Sequence, residues 1–212
     1  MSTVFRDEMK CTCCGKKFGI GVLGSTSRFG YMDLDTRPPQ MVRSTMMYWI
    51  HTCPKCGFIN DSKNEDNKGL RDYIKTEEYT TCEGYEFGNE LAAGFYRLGL
   101  INIVKKEYHD AFMAFLKAAW CFDDKNDEIK AAICRERAIS VIDSIKNDRE
   151  DSIALYADVY RRVGRFSEFL NKYPNVQFDK DILNTVMKAE KMLAAKGDTK
   201  CHSLGEFLEE KK

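Results

Sequence analysis

The sequence is poor in the residues that most catalytic and membrane readings need. Its three histidines, His51, His109 and His202, form no HExxH pair or other hydrolase pattern. It has no phosphate-binding P-loop and no GxGxxG after a strand, so the common nucleotide and dinucleotide sites lack their signatures. No apolar run approaches the roughly 20 residues of a membrane-spanning helix. The first residues, MSTVFRDEMKCTCC, hold no apolar core of signal-peptide length. These absences predict a cytoplasmic, non-enzymatic protein with no membrane partner. Net charge is also missing: 33 basic residues meet 33 acidic ones, which argues against a surface built wholly for polyanions. Proline is scarce, with none between Pro54 and Pro174, so a long stretch is free of the strongest helix breaker.

What charge there is lies unevenly. Residues 1–60 carry eight basic and four acidic residues, and residues 61–91 carry four basic and nine acidic ones. The division predicts a basic head (1–60), an acidic connector with a short helix (61–89), a helical domain (90–198) and a polar tail (199–212).

Cysteine is abundant, and its pattern is the most specific signal. The total of nine is odd and no export signal precedes them, which points to a reducing compartment rather than a disulfide framework. Four of them form two like units, Cys11-Thr12-Cys13-Cys14-Gly15 and Cys53-Pro54-Lys55-Cys56-Gly57. Each reads CxxCG. Two residues between thiolates let a tight turn aim both sulfurs at one cation, and glycine after the second cysteine accepts the positive φ of such a turn. Two turns supply Cys11, Cys14, Cys53 and Cys56, the ligand set of a closed tetrahedral structural zinc site. One Zn²⁺ per chain is expected, with its binding energy supporting the fold. Cys13 is the alternate ligand, and His51, two residues before Cys53, is expected to pack beside the site.

The head reads as β-rich. Phe18–Leu23 leads out of the first unit, and the aromatic run Met46–Ile50 leads into the second as a further strand. Glycine and proline punctuate the stretch between them. Ser25–Gln40, with Asp33, Asp35 and Arg37, is expected to be a solvated loop. The plan is that of a zinc ribbon with a long insertion.

From Glu90 onward apolar residues recur at three- and four-residue spacing. Helices are predicted over 92–105, 108–122, 126–146, 151–163, 165–172 and 179–195. Phe95, Leu98, Gly99, Asn102, Ala111, Phe115 and Ala118 fall at the signature places of a tetratricopeptide repeat of about 34 residues. Ile153, Tyr156, Ala157, Tyr160, Gly164 and Phe166 give a second, irregularly spaced match. The fold class expected is mainly α: a small zinc-ribbon-like head followed by tetratricopeptide-like antiparallel helical pairs.

The combination resembles an uncharacterised bacterial family that joins a CxxC…CPxCG head to a tetratricopeptide-like body. The likeness rests on Cys53-Pro54-Lys55-Cys56-Gly57-Phe58, Asp33-Leu34-Asp35, Ala118-Ala119-Trp120 and Tyr160–Phe166. The first unit departs from it, lacking the proline after its first cysteine. That family carries no assigned activity, so the resemblance implies architecture.

Three functions compete. The first is a scaffold whose helical domain holds a protein or peptide partner. The second is nucleic-acid binding by the head, with Lys10, Lys16, Lys17, Arg28, Arg37 and Arg43 on phosphates and Phe29, Tyr31 or Trp49 stacking. The third is a thiol or zinc-release redox sensor in which Cys13 is oxidised first. Arg161, Arg162 and Arg165 are expected at a solvated helix end, and Trp120 as a packing anchor.

Overall fold

The computed structural model describes residues 2–61, 65–82, 86–146 and 149–208. Parts of the expected connector (62–64 and 83–85) and of the expected tail (209–212) fall outside the described residues.

Strand β1 (Ser2–Lys10) pairs antiparallel with β2 (Lys17–Thr26), and Lys10 and Lys17 face each other nearest the connecting turn. A single helical turn of four residues, α1 (Gln40–Arg43), closes the insertion, then a 3-10 turn follows (Met46–Tyr48). A minimal hairpin, β3 (His51–Thr52) with β4 (Ile59–Asn60), closes the head. The strand expected over Met46–Ile50 does not form. Tyr48 N–H bonds to Thr45 and Trp49 N–H to Met46, so the chain coming out of α1 stays coiled. An apolar run of five residues does not distinguish a strand from a buried turn by pattern alone.

Two more 3-10 turns (Lys68–Leu70 and Tyr73–Lys75) and α2 (Glu77–Thr81) stand where one short helix is expected. Then come α3 (Glu90–Val104), α4 (Tyr108–Asp123), α5 (Glu128–Ile142), α6 (Glu150–Arg162), α7 (Phe166–Lys172), α8 (Asp181–Ala195) and the short α9 (Gly205–Leu208). Asn89 caps α3: its side chain accepts the N–H groups of Leu91 and Ala92, donors that an uncapped helix leaves unpaired. The protein is mainly α, with helix pairs packed antiparallel behind the small β-rich head.

Helices α3, α4 and α5 pack in succession, and α6 lies against α5, α7 and α8. Gly99 is the close-approach point of α3: a Cβ built there would stand 2.5 Å from the Phe115 ring of α4. That ring is fully buried and meets Tyr96 edge-on at 4.9 Å between centroids. Head and body share one core. Cys11, Met46, Ile50, Phe58 and Ile59 belong to the same buried cluster as the α3–α8 side chains. The β1–β2 hairpin is the exception, because most of β1 is exposed on both faces, Phe5 included.

Candidate metal centre

Each CxxCG unit forms the tip of a hairpin, the first between β1 and β2 and the second between β3 and β4. Strands flank each cysteine turn, and β2 takes in the Phe18–Leu23 stretch expected to be β-rich.

The turns are built alike. Gly15 N–H returns to the Cys11 carbonyl at 2.9 Å, and Gly57 N–H to the Cys53 carbonyl at 2.9 Å. Cys11 N–H bonds to Lys16 O at 2.8 Å, and Cys53 N–H to Phe58 O at 2.9 Å. Gly15 and Gly57 hold φ of +75° and +74°, the left-handed conformation that glycine alone adopts without steric cost.

The turns face each other and bring the four thiols together. Their sulfurs all lie within 4.8 Å of one another. Cys11 Sγ is 3.7 Å from Cys56 Sγ, and Cys14 Sγ is 3.7 Å from Cys53 Sγ. A disulfide needs about 2.05 Å, so these are separate thiols. A cation bonded to four sulfurs at about 2.3 Å sets them about 3.75 Å apart at the corners of a tetrahedron. The group therefore fits a metal ion, and Cys11 and Cys53 are buried deepest in it. The Cys14 thiol is lowered to about 7: burial raises it, and the backbone beside Lys16 and the neighbouring thiols outweigh that effect.

Cys13 is fully buried but lies outside the four-sulfur group, and its carbonyl accepts from Arg71 Nε at 3.1 Å. His51 also lies outside the group. Burial lowers its pKa, and its carbonyl accepts from Asn60. Asn60, the last residue of the expected head, is the one that the sequence analysis did not single out. Buried on β4, it donates to Cys11 Sγ at 3.8 Å and to the His51 and Phe58 carbonyls. Its oxygen accepts Thr12 N–H at 3.0 Å, so one side chain ties the first turn to the second hairpin.

A second polar centre corrects part of the solvated Ser25–Gln40 loop that was expected: Arg28–Met32 are exposed, but the stretch from Asp33 to Arg37 turns inward. Asp33, Asp35 and Arg37 are all buried. Asp35 accepts Trp120 Nε1–H at 2.8 Å, so the expected packing anchor is also a hydrogen-bond donor. Arg37 Nε donates to Asp33 at 2.7 Å, and its Nη1 to Asp124 at 3.2 Å. Arg135 grips Asp123 with both Nη atoms, at 3.1 and 2.6 Å, and Arg162 donates to the same carboxylate at 2.9 Å. Arg161 is 1% exposed and donates to Glu190 at 2.5 Å and to Asp158 at 2.8 Å. Only Arg165 is a surface residue, paired with Glu136 and Glu168. The expected solvated cluster 161–165 is thus one buried arginine, one with its side chain largely covered and one half-buried. A helix that buries a guanidinium must bring it carboxylates, and here α4 and α8 supply them.

Asp33, Asp35 and the Cys201 thiol also converge within 4.8 Å. Arg37 and Arg43 already claim Asp33 at this place. Of the other sequence candidates, Cys82, Cys121 and Cys134 are buried core thiols, and His109 is exposed at the start of α4. His202 sits between Asp198 and Glu206 at 3.1 and 2.9 Å. Among the described residues, no helix is long and apolar enough to cross a membrane.

These features define a mainly helical protein with a zinc-ribbon-like four-cysteine head. The chain belongs to the family described as "uncharacterized protein conserved in bacteria" (DUF2225), whose model matches residues 4–191. No curated protein and no solved structure matches it.

Proposed function

We propose that the chain is a non-enzymatic, cytoplasmic protein–protein interaction module built on one structural zinc ion. The observation that carries the zinc reading is the four-sulfur group, with Sγ–Sγ separations of 3.7 Å between facing turns. All-thiolate tetrahedral donation suits zinc, and four protein ligands leave no position for water or substrate. The ion staples two turns that are far apart in sequence and so holds the head together. The interaction role is supported by the helix pairs, whose tetratricopeptide-like positions at Gly99 and Phe115 suit stacked helices that present a face to a partner.

Three observations weigh against the alternatives. Arg37 and Arg43, two of the six basic residues available for phosphate contact, are held by Asp33 and Asp124. Lys117 Nζ sits 5.8 Å from the centre of the Trp49 ring, which removes one stacking platform. For the sensor reading, full burial of Cys13 hinders an oxidant from reaching it.

Elemental analysis of protein purified without added metal tests the zinc reading. One zinc per chain is expected in the wild type, with loss of zinc and of a folded head in Cys56→Ser. A metal-free, folded wild type would refute it. Photo-crosslinkers placed in bacterial cells at exposed helical positions, Ile129 or Met192, test the interaction reading. A discrete cross-linked protein is expected, and its absence at every helical position would sink that half.

A further inference from the structure

Residues 198–205 do not behave as a free polar tail. Residues 198–203 run along the 31–37 loop and the C-terminal end of α6 with a bend at Lys200, and the chain turns at Leu204 into α9. The hydrogen bonds from the groove go mostly to their main chain, and the Leu204 side chain packs against the core. Arg161 Nη1 donates to the Asp198 carbonyl at 2.7 Å and to the Lys200 carbonyl at 2.9 Å. Arg162 Nε donates to the Thr199 carbonyl at 2.8 Å. Leu34 N–H donates to His202 O at 2.9 Å, and Leu204 N–H to Met32 O at 2.9 Å, around an antiparallel bridge between Asp33 and Ser203. Two side-chain positions are selective. Cys201 lies against Arg37 Nη2 at 3.6 Å. Gly205 lies on the Tyr31 ring, where a Cβ would stand 2.4 Å from Cδ2.

The receptor and the segment differ in kind. Leu34, Asp33, Arg37, Arg161 and Arg162 sit in or beside the core, with their positions fixed by the ion network. Within 198–205 only Gly205 is buried, and Thr199 and Lys200 are exposed. A cleft of about 610 Å³ leaves Thr199–Cys201 unpacked on the side facing Ile129, Ala131 and Ala132 of α5. The family match ends at residue 191, so it includes the groove and excludes the segment that fills it.

We infer that this groove is a binding site for an extended polypeptide strand and that residues 198–205 occupy it in cis. The strand is recognised by its carbonyls and N–H groups, as in β-strand addition. Its partner is a protein segment with a small side chain at the Cys201 position and glycine at the Gly205 position. Two buried guanidiniums replace half of the usual strand-to-strand ladder, so the groove reads chain direction without reading much sequence. This names the interaction surface of the reading above and rests on it.

The test uses the full chain with its own segment loosened by Leu204→Pro and Gly205→Val, which remove one donor and create one clash without touching the groove. The probe is a fluorescein-labelled peptide of residues 197–208, followed by anisotropy. The loosened protein should bind it at least tenfold more tightly than the wild type, and a probe carrying Leu204→Pro should bind at least tenfold more weakly. A loosened protein that melts cooperatively yet shows no binding would overturn the inference. If the loosened protein does not fold, hydrogen exchange on the wild type decides. The Leu34 and Leu204 amides should exchange at least 100-fold faster than the α4 amides, and exchange together with α4 would overturn the inference. A negative peptide result beside a partner cross-linked from another helical face would end the groove alone, whereas no cross-link anywhere would end the interaction reading itself.

Discussion

Replacing Asp35 measures what joins the head to the helices. Its carboxylate is about 1% exposed and accepts from Trp120 Nε1 at 2.8 Å and from Arg37 N–H at 3.1 Å. It also lies 3.5 Å from Arg135 and 4.0 Å from Arg162. In Asp35→Asn the shape and an acceptor for Trp120 remain, while the charge and the oxygen that accepts Arg37 N–H are lost. Arg135 and Arg162 must then share Asp123 as their one ion-pair carboxylate among the described residues, and removing one member of a buried ion network costs about 3–5 kcal/mol. In Asp35→Ala the Trp120 N–H is stranded as well, which adds about 1–3 kcal/mol. For a chain of this length each kcal/mol moves the melting temperature by about 2–4 °C, so Asp35→Asn should melt about 6–20 °C below the wild type. Urea titration and calorimetry on both variants, with Trp120→Phe and the double variant, close a thermodynamic cycle. Asp35→Asn and Trp120→Phe should be clearly non-additive. If Asp35→Asn lies within about 1 kcal/mol of the wild type, the network is not what couples head to body.

Other outcomes follow from the same geometry. Gly99→Ala drives a methyl into the buried Phe115 ring and should cost about 1–3 kcal/mol in urea melts, whereas alanine at an open helical glycine would stabilise. Burial and the neighbouring Asp158 carboxylate lift Glu190 to about 9, against the pull of Arg161. The folded state then holds a proton that the unfolded chain releases near its ordinary carboxyl pKa, so stability falls as pH rises from about 5 through 9. Glu190→Gln should flatten that slope in melts taken from pH 6 to pH 10, and an unchanged slope would show that the pair holds no proton. Asn60→Ala removes the donor to Cys11 Sγ and should speed zinc loss to a chromogenic chelator about 10–100-fold, the usual effect of removing a partner behind a metal ligand.

The parts of the fold set by local spacing were legible. Helices α3 to α8 begin and end within a few residues of their predicted bounds, because apolar residues at three- and four-residue spacing and the break at Gly164 are local signals. The cysteine turns were legible for the same reason, since CxxCG writes a turn, two donors and a positive φ into five residues. What failed was long-range. Asp33, Asp35 and Arg37 look like loop residues because their partners lie far along the chain: Trp120 is 85 residues from Asp35, and Asp124 is 87 from Arg37. No pattern within a window of ten residues encodes such a meeting. Arg161 and Arg162 misled in the same way. A basic helix end is ordinarily solvated, and only the approach of α8 and of residues 198–200 buries this one.

That long reach has a consequence for synthesis on the ribosome. Asp35 leaves the exit tunnel well before Trp120, Arg135 and Arg162 exist. At about 5–20 residues per second, Trp120 is made on the order of 4–17 s after Asp35. The two cysteine turns are complete by residue 57, so a nascent chain has both halves of the metal group long before it has the helices that shelter the Asp33–Arg37 loop. Both cysteine turns are therefore synthesised before the helices on which the head packs. During the interval between them the loop's carboxylates stand in water, waiting for arginines that are still to be translated.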